Sequence, residues 1–503
     1  MSEPELNQEL KQELRQELRL KLIQALNQVL DKASILTEEA QLRPFECDGL
    51  STYRQLPMVA VLPENTQQVQ AVIKICNQLS VPIVTRGAGT GLSAGALPHP
   101  DGLLLVLSRM SRILEVNTDA MTARVEPGVR NLAISEAVAA HGLFYAPDPS
   151  SQVACSIGGN VAENAGGVHC LKYGLTVHNI LQIKGFSAQG DPVTLGSGGL
   201  DESGLNILPL VIGSEGMLMV VTEITVKLLP KPTQVEVMLA AFSAIDTAGQ
   251  AVSNIIAGGH IPAGLELMDN NAIRAAEDYA GAGYPRDAAA ILLVEIDGSH
   301  ASCETQLRKI SDILKNSGCV SLKIARNDNE RALFWKGRKS AFPAVGRLAP
   351  DYYCMDGTIP RKAIAEVLNT ISALSEEYGF PVANVFHAGD GNLHPLILFD
   401  ANIPGQFDRV EEMGARILEK CIAVGGTITG EHGVGVEKIR QMPLLFNDEE
   451  LAQFHAVKAA LDPGNVLNPG KNIPLLKHCQ EYRALSQNRM PAQLLTGTLH
   501  SEG

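Results

Sequence analysis

Two short stretches of this chain place histidines among glycines. HAGDGNLH begins with His387 and ends with His394, and GEHGVG contains Glu431 directly before His432. Two imidazoles and one carboxylate are a common ligand set for a catalytic divalent ion, because they leave coordination positions open for a substrate. These residue types predict that His387, His394 and Glu431 bind one metal ion.

The spacing within HAGDGNLH predicts a β-hairpin. The apolar runs VANVF and LILF flank it, and GDGN between the histidines has the composition of a turn. A four-residue loop at 389–392 places His387 directly opposite His394, with Cβ atoms about 4.5–5.5 Å apart, so both imidazoles reach one ion. The alternative is a hydrogen bond between the two histidines without a metal. Two opposed histidines together with the acid–histidine pair Glu431 and His432 among glycines favour the metal site.

A glycine-rich loop follows a predicted strand in the first half of the chain. In VPIVTRGAGTGLSAG, the glycines Gly87, Gly89 and Gly91 let backbone N–H groups approach a diphosphate without a side chain in the way. The spacing is G-x-G-x-G, and Leu107 stands where an NAD site would carry an acid, which disfavours a Rossmann dinucleotide site. A plain turn is the alternative interpretation.

Two further loops strengthen the cofactor interpretation. APDPSSQVACSIGGNVAENAGG, residues 146–167, combines prolines, hydroxyls and paired glycines, and IGSEG, residues 212–216, precedes a β-branched strand. Long loops without periodicity are usually functional. Three such loops in one domain suit an extended dinucleotide, with main-chain donors on its phosphates and small residues beside a flat ring.

Alternating apolar runs, helical stretches and turns divide the chain into five predicted segments. These are an N-terminal amphipathic helix or tail at 1–40, a cofactor domain at 41–233, a substrate or cap domain at 234–430, a C-terminal segment at 431–475 and a tail at 476–503. In the first segment, leucines recur every four residues from Leu10 to Leu26 among Gln, Glu, Lys and Arg. This narrow stripe predicts a solvated appendage, with docking of a partner as the alternative.

Composition excludes several classes of protein. The 503 residues carry a formal charge of −14, which argues against nucleic acid or an anionic membrane as the main partner. No apolar run reaches the length of a membrane span and no signal peptide is evident, so we expect a cytoplasmic protein. The nine cysteines form no C-x-x-C pair, which disfavours a ferredoxin-type cluster or a zinc ribbon and predicts reduced, mostly buried thiols.

Several motifs together carry a family resemblance. VTRGAGTGLSAG, PDPSS, SIGGNVAENAGG, GSEG, HAGDGNLHPLILFD and GEHG resemble the FAD-linked 2-hydroxyacid oxidoreductases of the vanillyl-alcohol oxidase / PCMH class. PFECDGLS, CLKYGLTVHN, FWKGRKSAFPAVGR and DYYCMDGTIPR are similar to the FAD-binding subunits of bacterial glycolate oxidases, also called glycolate dehydrogenases. The resemblance covers about residues 43–474. It omits the N-terminal helix and the C-terminal tail.

The resemblance implies an α+β protein. Its parts are a PCMH-type FAD-binding domain of two α/β subdomains, an α+β substrate cap domain and a C-terminal helical segment that returns to the FAD domain. FAD is expected to be non-covalent, because RGAGTG lacks the histidine through which relatives commonly tether it. The positions expected at FAD are Arg86, Gly87, Ala88, Gly89, Thr90, Gly91, Pro147, Asp148, Ser150, Ser151, Ser156, Gly158, Gly159, Asn160, Asn164, Gly166, Gly167, Glu215, Gly216 and Asn468.

The resemblance also assigns roles around the histidines. It matches the metal ligands to His387, His394 and Glu431, the catalytic base to His432, and the arginine that binds the substrate carboxylate to Arg338. Zinc or manganese is the expected metal. The predicted reaction removes the hydroxyl proton of a 2-hydroxy acid and transfers hydride from C2 to the flavin, giving a 2-oxo acid.

The expected substrate is glycolate, with D-lactate as a second. Relatives that act on larger diacids tend to carry a lysine at the place of Cys354 and an asparagine at that of Leu396, so a second substrate carboxylate would lack a partner here. The implied partners are a second flavin-type subunit and an iron–sulfur subunit, at the inner face of the cell membrane. The alternatives are a D-lactate or other D-2-hydroxyacid dehydrogenase acting alone, a metal-dependent hydrolase, and a non-catalytic flavin subunit.

Overall fold

The computed structural model describes the backbone of residues 3–198 and 204–474, and the side chains of the same ranges from residue 12 onward. The predicted tail at 476–503 lies outside the described residues. The strands are β1 (Ile35–Leu36), β2 (Val59–Val61), β3 (Ile83–Arg86), β4 (Leu103–Val106), β5 (Ile113–Asn117), β6 (Thr122–Val125), β7 (Leu143–Phe144), β8 (Ile180–Phe186), β9 (Pro192–Gly196), β10 (Val220–Lys227), β11 (Leu229–Pro230), β12 (Gln234–Phe242), β13 (Gly264–Asp269), β14 (Ala290–Gly298), β15 (Ser321–Ile324), β16 (Asp351–Cys354), β17 (Val382–Phe386) and β18 (Pro395–Phe399). The α-helices are α1 (Glu3–Leu26), α2 (Glu39–Leu42), α3 (Thr66–Gln78), α4 (Asn131–Val138), α5 (Ile157–Glu163), α6 (Cys170–Tyr173), α7 (Leu208–Val211), α8 (Ile245–Ala257), α9 (Asn270–Ala280), α10 (His300–Asn316), α11 (Asp328–Lys339), α12 (Ala341–Val345), α13 (Ile364–Tyr378), α14 (Gln406–Ala423), α15 (Met442–Leu445) and α16 (Asp448–Leu461).

Two main sheets form the first half of the chain. One has the order β1-β2-β4-β3, in which β2, β4 and β3 are parallel and β1 is antiparallel to β2. Every residue of β4 is buried, as expected for a parallel strand covered on both faces. The other sheet is antiparallel, with the order β5-β6-β10-β8-β9. The first glycine-rich loop leaves the carboxyl end of β3, where ligands of parallel sheets commonly bind.

A seven-stranded antiparallel sheet follows in the second half. Its order is β15-β12-β14-β13-β17-β18-β16. The predicted strand VANVF is β17 itself, LILF forms most of β18, and every residue of both strands is buried. The mixed content of helices and strands confirms the predicted α+β fold.

The N-terminal helix is present, but the expectation of a solvated appendage is wrong for its second half. Leu22 and Leu26 have no exposed surface and pack in the core of the first sheet with α3 residues such as Val69. Leu14 and Leu20 are exposed at 56% and 66%. A narrow apolar stripe is enough to bury one end of a helix against a neighbouring element while the other end stays in solvent.

The C-terminal segment returns to the first half of the chain. Leu467 makes a parallel bridge with Ile83 of β3, and the Lys458 ammonium group of α16 donates to the Met217 carbonyl at 2.8 Å. This return was predicted, and it places the C-terminal segment beside the glycine-rich loops. All eight cysteines in the described ranges are free thiols, as predicted.

No helix in the described part of the chain has the length and apolar character that a bilayer span requires.

Candidate active site

The two histidines of HAGDGNLH lie on the hairpin formed by β17 and β18. His387 pairs with Asn392, and the Val385 amide donates to the His394 carbonyl at 3.4 Å. The predicted direct opposition of His387 and His394 is therefore wrong by two residues. Because side chains alternate across a strand with a period of two, this shift keeps both rings on one face as diagonal neighbours. Their centroids lie 5.1 Å apart.

Glu431 converges on both imidazoles. Its Oε1 atom lies 3.3 Å from His387 Nε2 and 3.1 Å from His394 Nε2. One donor atom from each of the three residues lies within 4.8 Å of the other two, and both histidines are buried. Two imidazole nitrogens and a carboxylate oxygen at these distances fit a divalent cation.

A buried ion pair between Glu266 and Arg338 contacts the Nδ1 side of the His387 ring. Glu266 of β13 accepts from His387 Nδ1 at 2.8 Å, and its other oxygen lies 2.6 Å from Arg338 Nη2 of α11. The Glu266 and Arg338 side chains are almost fully buried. The bond at Nδ1 fixes the tautomer of His387 and directs its Nε2 atom towards Glu431, the arrangement usual behind a metal-binding histidine.

A second buried carboxylate holds the loop that carries Glu431 and His432. Asp356 is fully buried and accepts from the Thr429 hydroxyl at 2.6 Å and from the amides of Gly430 and His432 at 2.9 and 2.8 Å. Three hydrogen bonds to one carboxylate fix the backbone on both sides of Glu431. The E-H pair is therefore positioned by a residue that lies just after β16.

The surroundings shift the pKa values of His387, Glu431 and His432 in different directions. Burial alone would lower the pKa of His387, but the Glu266 and Glu431 carboxylates outweigh it and raise that pKa well above its ordinary value. Burial would raise the pKa of Glu431, but hydrogen bonds from His387 and His394 hold it well below its usual range. Burial lowers the pKa of His432 to about 4, so its imidazole is neutral at neutral pH and able to accept a proton. The His432 ring stacks on that of His394, with centroids 4.9 Å apart and planes at 8°.

One cavity joins these histidines to the glycine-rich loops. Its volume is about 380 Å³, and His394, Glu431 and His432 line one part of it. Thirteen of the residues predicted at FAD line the rest: Gly87, Ala88, Gly89, Thr90, Gly91, Ser150, Ser151, Ser156, Gly158, Gly159, Asn160, Glu215 and Gly216.

The cradle fits an extended cofactor. A Cβ atom added to Gly91 or Gly216 would meet its nearest protein atom only at 3.8 or 4.0 Å, although both glycines line the cavity, so the space beside them is free for a ligand. The Ser156 hydroxyl accepts from the Ala88 amide at 3.3 Å and so links two of the loops. A Cβ on Gly87 would lie 2.1 Å from that hydroxyl oxygen, which explains the glycine.

The other predicted FAD residues support the loops without lining the cavity. Arg86 donates to the Cys47 carbonyl at 2.6 Å, and the Pro147 carbonyl accepts from Asn131 at 3.0 Å. Asp148 bonds His169 Nδ1 at 2.9 Å. These three residues have hydrogen-bond partners within the protein, and their contact with FAD stays a prediction.

Asn164, Gly166, Gly167 and Asn468, which were also predicted at FAD, likewise make contacts within the protein and do not line the cavity. The Asn164 side chain accepts from the Val177 amide at 2.9 Å, and Asn468 donates to the carbonyls of Gly95 and Glu215 at 3.0 and 2.7 Å. A Cβ on Gly167 would lie 2.5 Å from the Asp148 carbonyl oxygen. A Cβ on Gly166 would lie 2.4 Å from Glu431 Oε2, so this glycine makes room for the Glu431 carboxylate.

Sequence reasoning missed Glu266, Asp356, Lys339 and Phe342. The last two line the cavity beside His394. Glu266 had a signal in the sequence, because an acid in the middle of the apolar strand GLELMD must be paired if the strand is buried. Asp356 precedes a glycine, as many turn residues do, and its role depends on a loop more than 70 residues away.

Comparisons with known proteins agree with this architecture. Residues 57–196 match the model for the FAD binding domain, and residues 231–472 match that for the C-terminal domain of FAD linked oxidases. The chain is 59% identical to the glycolate oxidase subunit GlcD of Escherichia coli K12, over 92% of each protein. It is 32% identical to a D-lactate dehydrogenase of Archaeoglobus fulgidus, over 82% of this chain and 91% of that protein.

A solved structure has the same fold. p-Cresol methylhydroxylase with substrate bound superposes with a TM-score of 0.78 at 17% identity, over 92% of this chain and 98% of that one. The identity to the glycolate oxidase subunit over nearly the whole chain shows the family. The chain belongs to the FAD-linked oxidases that include the glycolate oxidase subunit GlcD, and it is an FAD-dependent oxidoreductase.

Proposed function

We propose that this chain oxidises glycolate, and D-lactate as a second substrate, to the corresponding 2-oxo acid. The observation that carries the proposal is the single cavity that holds the glycine-rich cradle at one part and His394, Glu431 and His432 at another. A small acid between these groups would lie beside both the flavin and a base. The names of the relatives, a glycolate oxidase subunit and a D-lactate dehydrogenase, support the same class of substrate.

His387, His394 and Glu431 are proposed to hold one divalent ion, zinc or manganese. When bound, the ion lowers the pKa of the substrate hydroxyl, and FAD accepts the hydride equivalent. Glu266 contributes by fixing the tautomer of His387, and Asp356 by fixing the backbone of Glu431.

His432 is the proposed base. Its imidazole is neutral at neutral pH, its Nδ1 atom has no hydrogen-bond partner in the described ranges, and its ring lies against that of His394. The variant His432→Ala is expected to keep flavin and metal but to lose flavin reduction by glycolate. Exposed His141 supplies the matched control, His141→Ala. Reduction of the His432→Ala flavin at the wild-type rate would remove this residue as the base.

A cation of α11 is proposed to bind the substrate carboxylate. Arg338 is the predicted residue, but its guanidinium pairs with Glu266 and does not line the cavity, whereas Lys339 lines it. Lys339→Met should raise the KM for glycolate without changing metal affinity if Lys339 binds the carboxylate. Arg338→Met should weaken metal binding through Glu266 and His387, and exposed Lys336→Met serves as the control.

A small substrate is proposed because apolar residues stand at the positions where relatives that act on diacids carry polar side chains. Phe342 and Pro343 line the cavity beside His394. Cys354 and Leu396, which stand where relatives acting on diacids carry polar residues, pair across β16 and β18 and are buried in an apolar cluster. Burial of a second substrate carboxylate beside these apolar residues, without a cation or a hydrogen-bond donor, would cost free energy of binding.

The electrons are proposed to leave through a second flavin-type subunit and an iron–sulfur subunit, at the inner face of the cell membrane. The subunit name of the Escherichia coli relative supports a multi-subunit complex. The exposed face of α1 around Leu14 and Leu20 is the proposed docking surface. Substitution of these two leucines by Glu tests it in a pull-down, because deletion of the whole helix would also remove Leu22 and Leu26 from the core.

The anaerobic visible spectrum tests the function. We expect flavin bands that bleach rapidly with glycolate, also with D-lactate, and weakly with 2-hydroxyglutarate. A metal-dependent hydrolase would show no flavin bands, and a non-catalytic flavin subunit would show bands that none of the acids bleach. A higher kcat/KM for the diacid would refute the proposed substrate size.

A further inference from the structure

Glu163 is a carboxyl group in the cavity with no assigned role. It is the last residue of α5, and it lines the same cavity as the glycine-rich loops and His394, Glu431 and His432. Its Oε2 atom is buried and has no hydrogen-bond partner among the described residues. A buried polar atom without a partner is costly unless a ligand or a proton satisfies it.

A second buried carboxylate, Glu215, lies close to Glu163. A Cβ atom on Gly433 would lie 2.3 Å from Glu163 Oε2 and 2.9 Å from Glu215 Oε1, so the two oxygens are separated by no more than the sum of these distances, about 5.2 Å. Two buried carboxylates this close do not readily ionise together. One of them is expected to keep its proton.

The hydrogen bonds identify Glu215 as the ionised partner. It accepts from the amides of Val434 and Gly435 at 2.7 and 2.8 Å and from the Asn472 side chain at 2.6 Å. An ionised carboxylate only accepts hydrogen bonds, and these three donors match that state. Glu163 has no comparable set of donors, so the proton belongs on Glu163.

Two buried lysines face this pair of carboxylates and are engaged elsewhere. Lys438 lies 2.8 Å from Glu437 Oε2 and donates to the Gly433 carbonyl at 2.9 Å. Lys471 donates to the Gly95 carbonyl at 3.0 Å and to the Asn468 side chain at 2.6 Å. Both lysines are therefore held by other oxygen atoms.

The burial and the charges around Glu163 also favour its protonated form. Burial, followed by the neighbouring Glu215 and Asp48, raises the pKa of Glu163 well above its ordinary value, and the two lysines only partly oppose this. Burial and the neighbouring carboxylates therefore favour the protonated form of Glu163, which has one O–H donor.

We propose that the Glu163 carboxyl group stays protonated and donates its O–H as a hydrogen bond to bound FAD. Reduction adds negative charge to the nitrogens and carbonyl oxygens of the flavin ring, so a fixed neutral donor stabilises the reduced form more than the oxidised form. Through this contact, Glu163 raises the reduction potential of the flavin. This role depends on the flavin site of the proposed function, and on neither the metal nor the identity of the hydroxy acid.

Two variants of the FAD-loaded protein separate this role from simple packing. Glu163→Gln keeps an N–H donor, and Glu163→Met has a similar length but no donor. The flavin potential is measured by equilibration with a redox dye, without substrate. At a fixed potential, Glu163→Met should show an approximately tenfold lower ratio of reduced to oxidised flavin, a shift of about 30 mV for a two-electron couple, and Glu163→Gln should stay near the wild type. A Met variant at the wild-type potential, or a Gln variant shifted as far as the Met variant, overturns the proposal.

The protonation itself is measured by infrared difference spectroscopy of the oxidised and dithionite-reduced protein. The wild type should show the carbonyl band of a protonated carboxylic acid that shifts on reduction, and Glu163→Gln should lack it. Absence of the band from the wild type overturns the proposal even if Glu163→Met fails to bind FAD. Since neither measurement uses a hydroxy acid, failure of glycolate to bleach the flavin would refute the proposed function and leave this role standing.

Discussion

Gly166 separates two interpretations of the loop at 164–167. The sequence predicts that this glycine lies at FAD, whereas the structure places it against Glu431. A Cβ atom there would lie 2.4 Å from Glu431 Oε2, 3.1 Å from Leu175 Cδ2 and 3.3 Å from Cys170 Sγ. The φ angle of Gly166 is not positive, so Gly166→Ala adds a methyl group without backbone strain.

The contact geometry sets the size of the effect. Ordinary contacts of a Cβ atom begin at 3.4 Å, so the Glu431 carboxylate must move by about 1 Å from its 2.4 Å position. Metal–ligand distances tolerate only about 0.2 Å. We expect metal affinity to fall about 10- to 100-fold, the range found when the support of a ligand is disturbed. FAD content should not change.

The assay combines metal titration of the metal-free protein with stopped-flow reduction of the flavin by glycolate. Reduction by Gly166→Ala should be slow at limiting metal and recover as the metal concentration rises. Gly198→Ala is the control, because a Cβ there meets nothing within 4 Å and its φ is not positive. Wild-type metal affinity in Gly166→Ala would refute the steric reasoning, and loss of FAD instead would restore the sequence-based assignment.

Three further predictions concern stability, pH and the metal. Leu22→Ala should lower the free energy of unfolding by about 2–5 kcal/mol in urea titrations, since Leu22 is fully buried, while Leu20→Ala at a position 66% exposed should change it little. Burial raises the pKa of Asp269 to about 6 in the folded protein, compared with about 3.8 in the unfolded chain. The protonated form of Asp269 therefore contributes its full stability below pH 3.8, and this contribution is lost as the pH rises through about 6. Asp269→Asn should remove that loss, about 3 kcal/mol for two pKa units, in unfolding measured from pH 4 to pH 7. Zinc binding to the metal-free protein should release a proton from His387, whose pKa is raised, so the measured affinity should increase with pH.

Each of these has an outcome that contradicts it. Equal effects of Leu22→Ala and Leu20→Ala would mean that the helix does not pack as described. An unchanged pH dependence in Asp269→Asn would assign the loss of stability to another group. Proton release on zinc binding is measured with an indicator dye. If none is detected, His387 is already neutral in the metal-free protein.

Local patterns in the sequence predicted much of the site. The runs VANVF and LILF specify two strands because they are mostly apolar and contain Val, Ile and Phe, and GDGN specifies the turn between them. His387, His394, Glu431 and His432 were named from residue type and spacing together with the family resemblance, and the structure brings them together. The period of two along a strand put the two histidines on one face, and the two-residue error in register did not change that face.

Tertiary structure decided what surrounds these groups. Glu266 lies 121 residues before His387 and Asp356 lies 76 residues before His432, and no local pattern specifies contacts over such distances. The same holds for the close approach of Gly166 to Glu431, which is 265 residues later in the chain. Sequence determined which chemical groups are available and on which face of a strand they stand. Only packing determined which of them meet, because burial forces each charged group to find its partner wherever the fold places one.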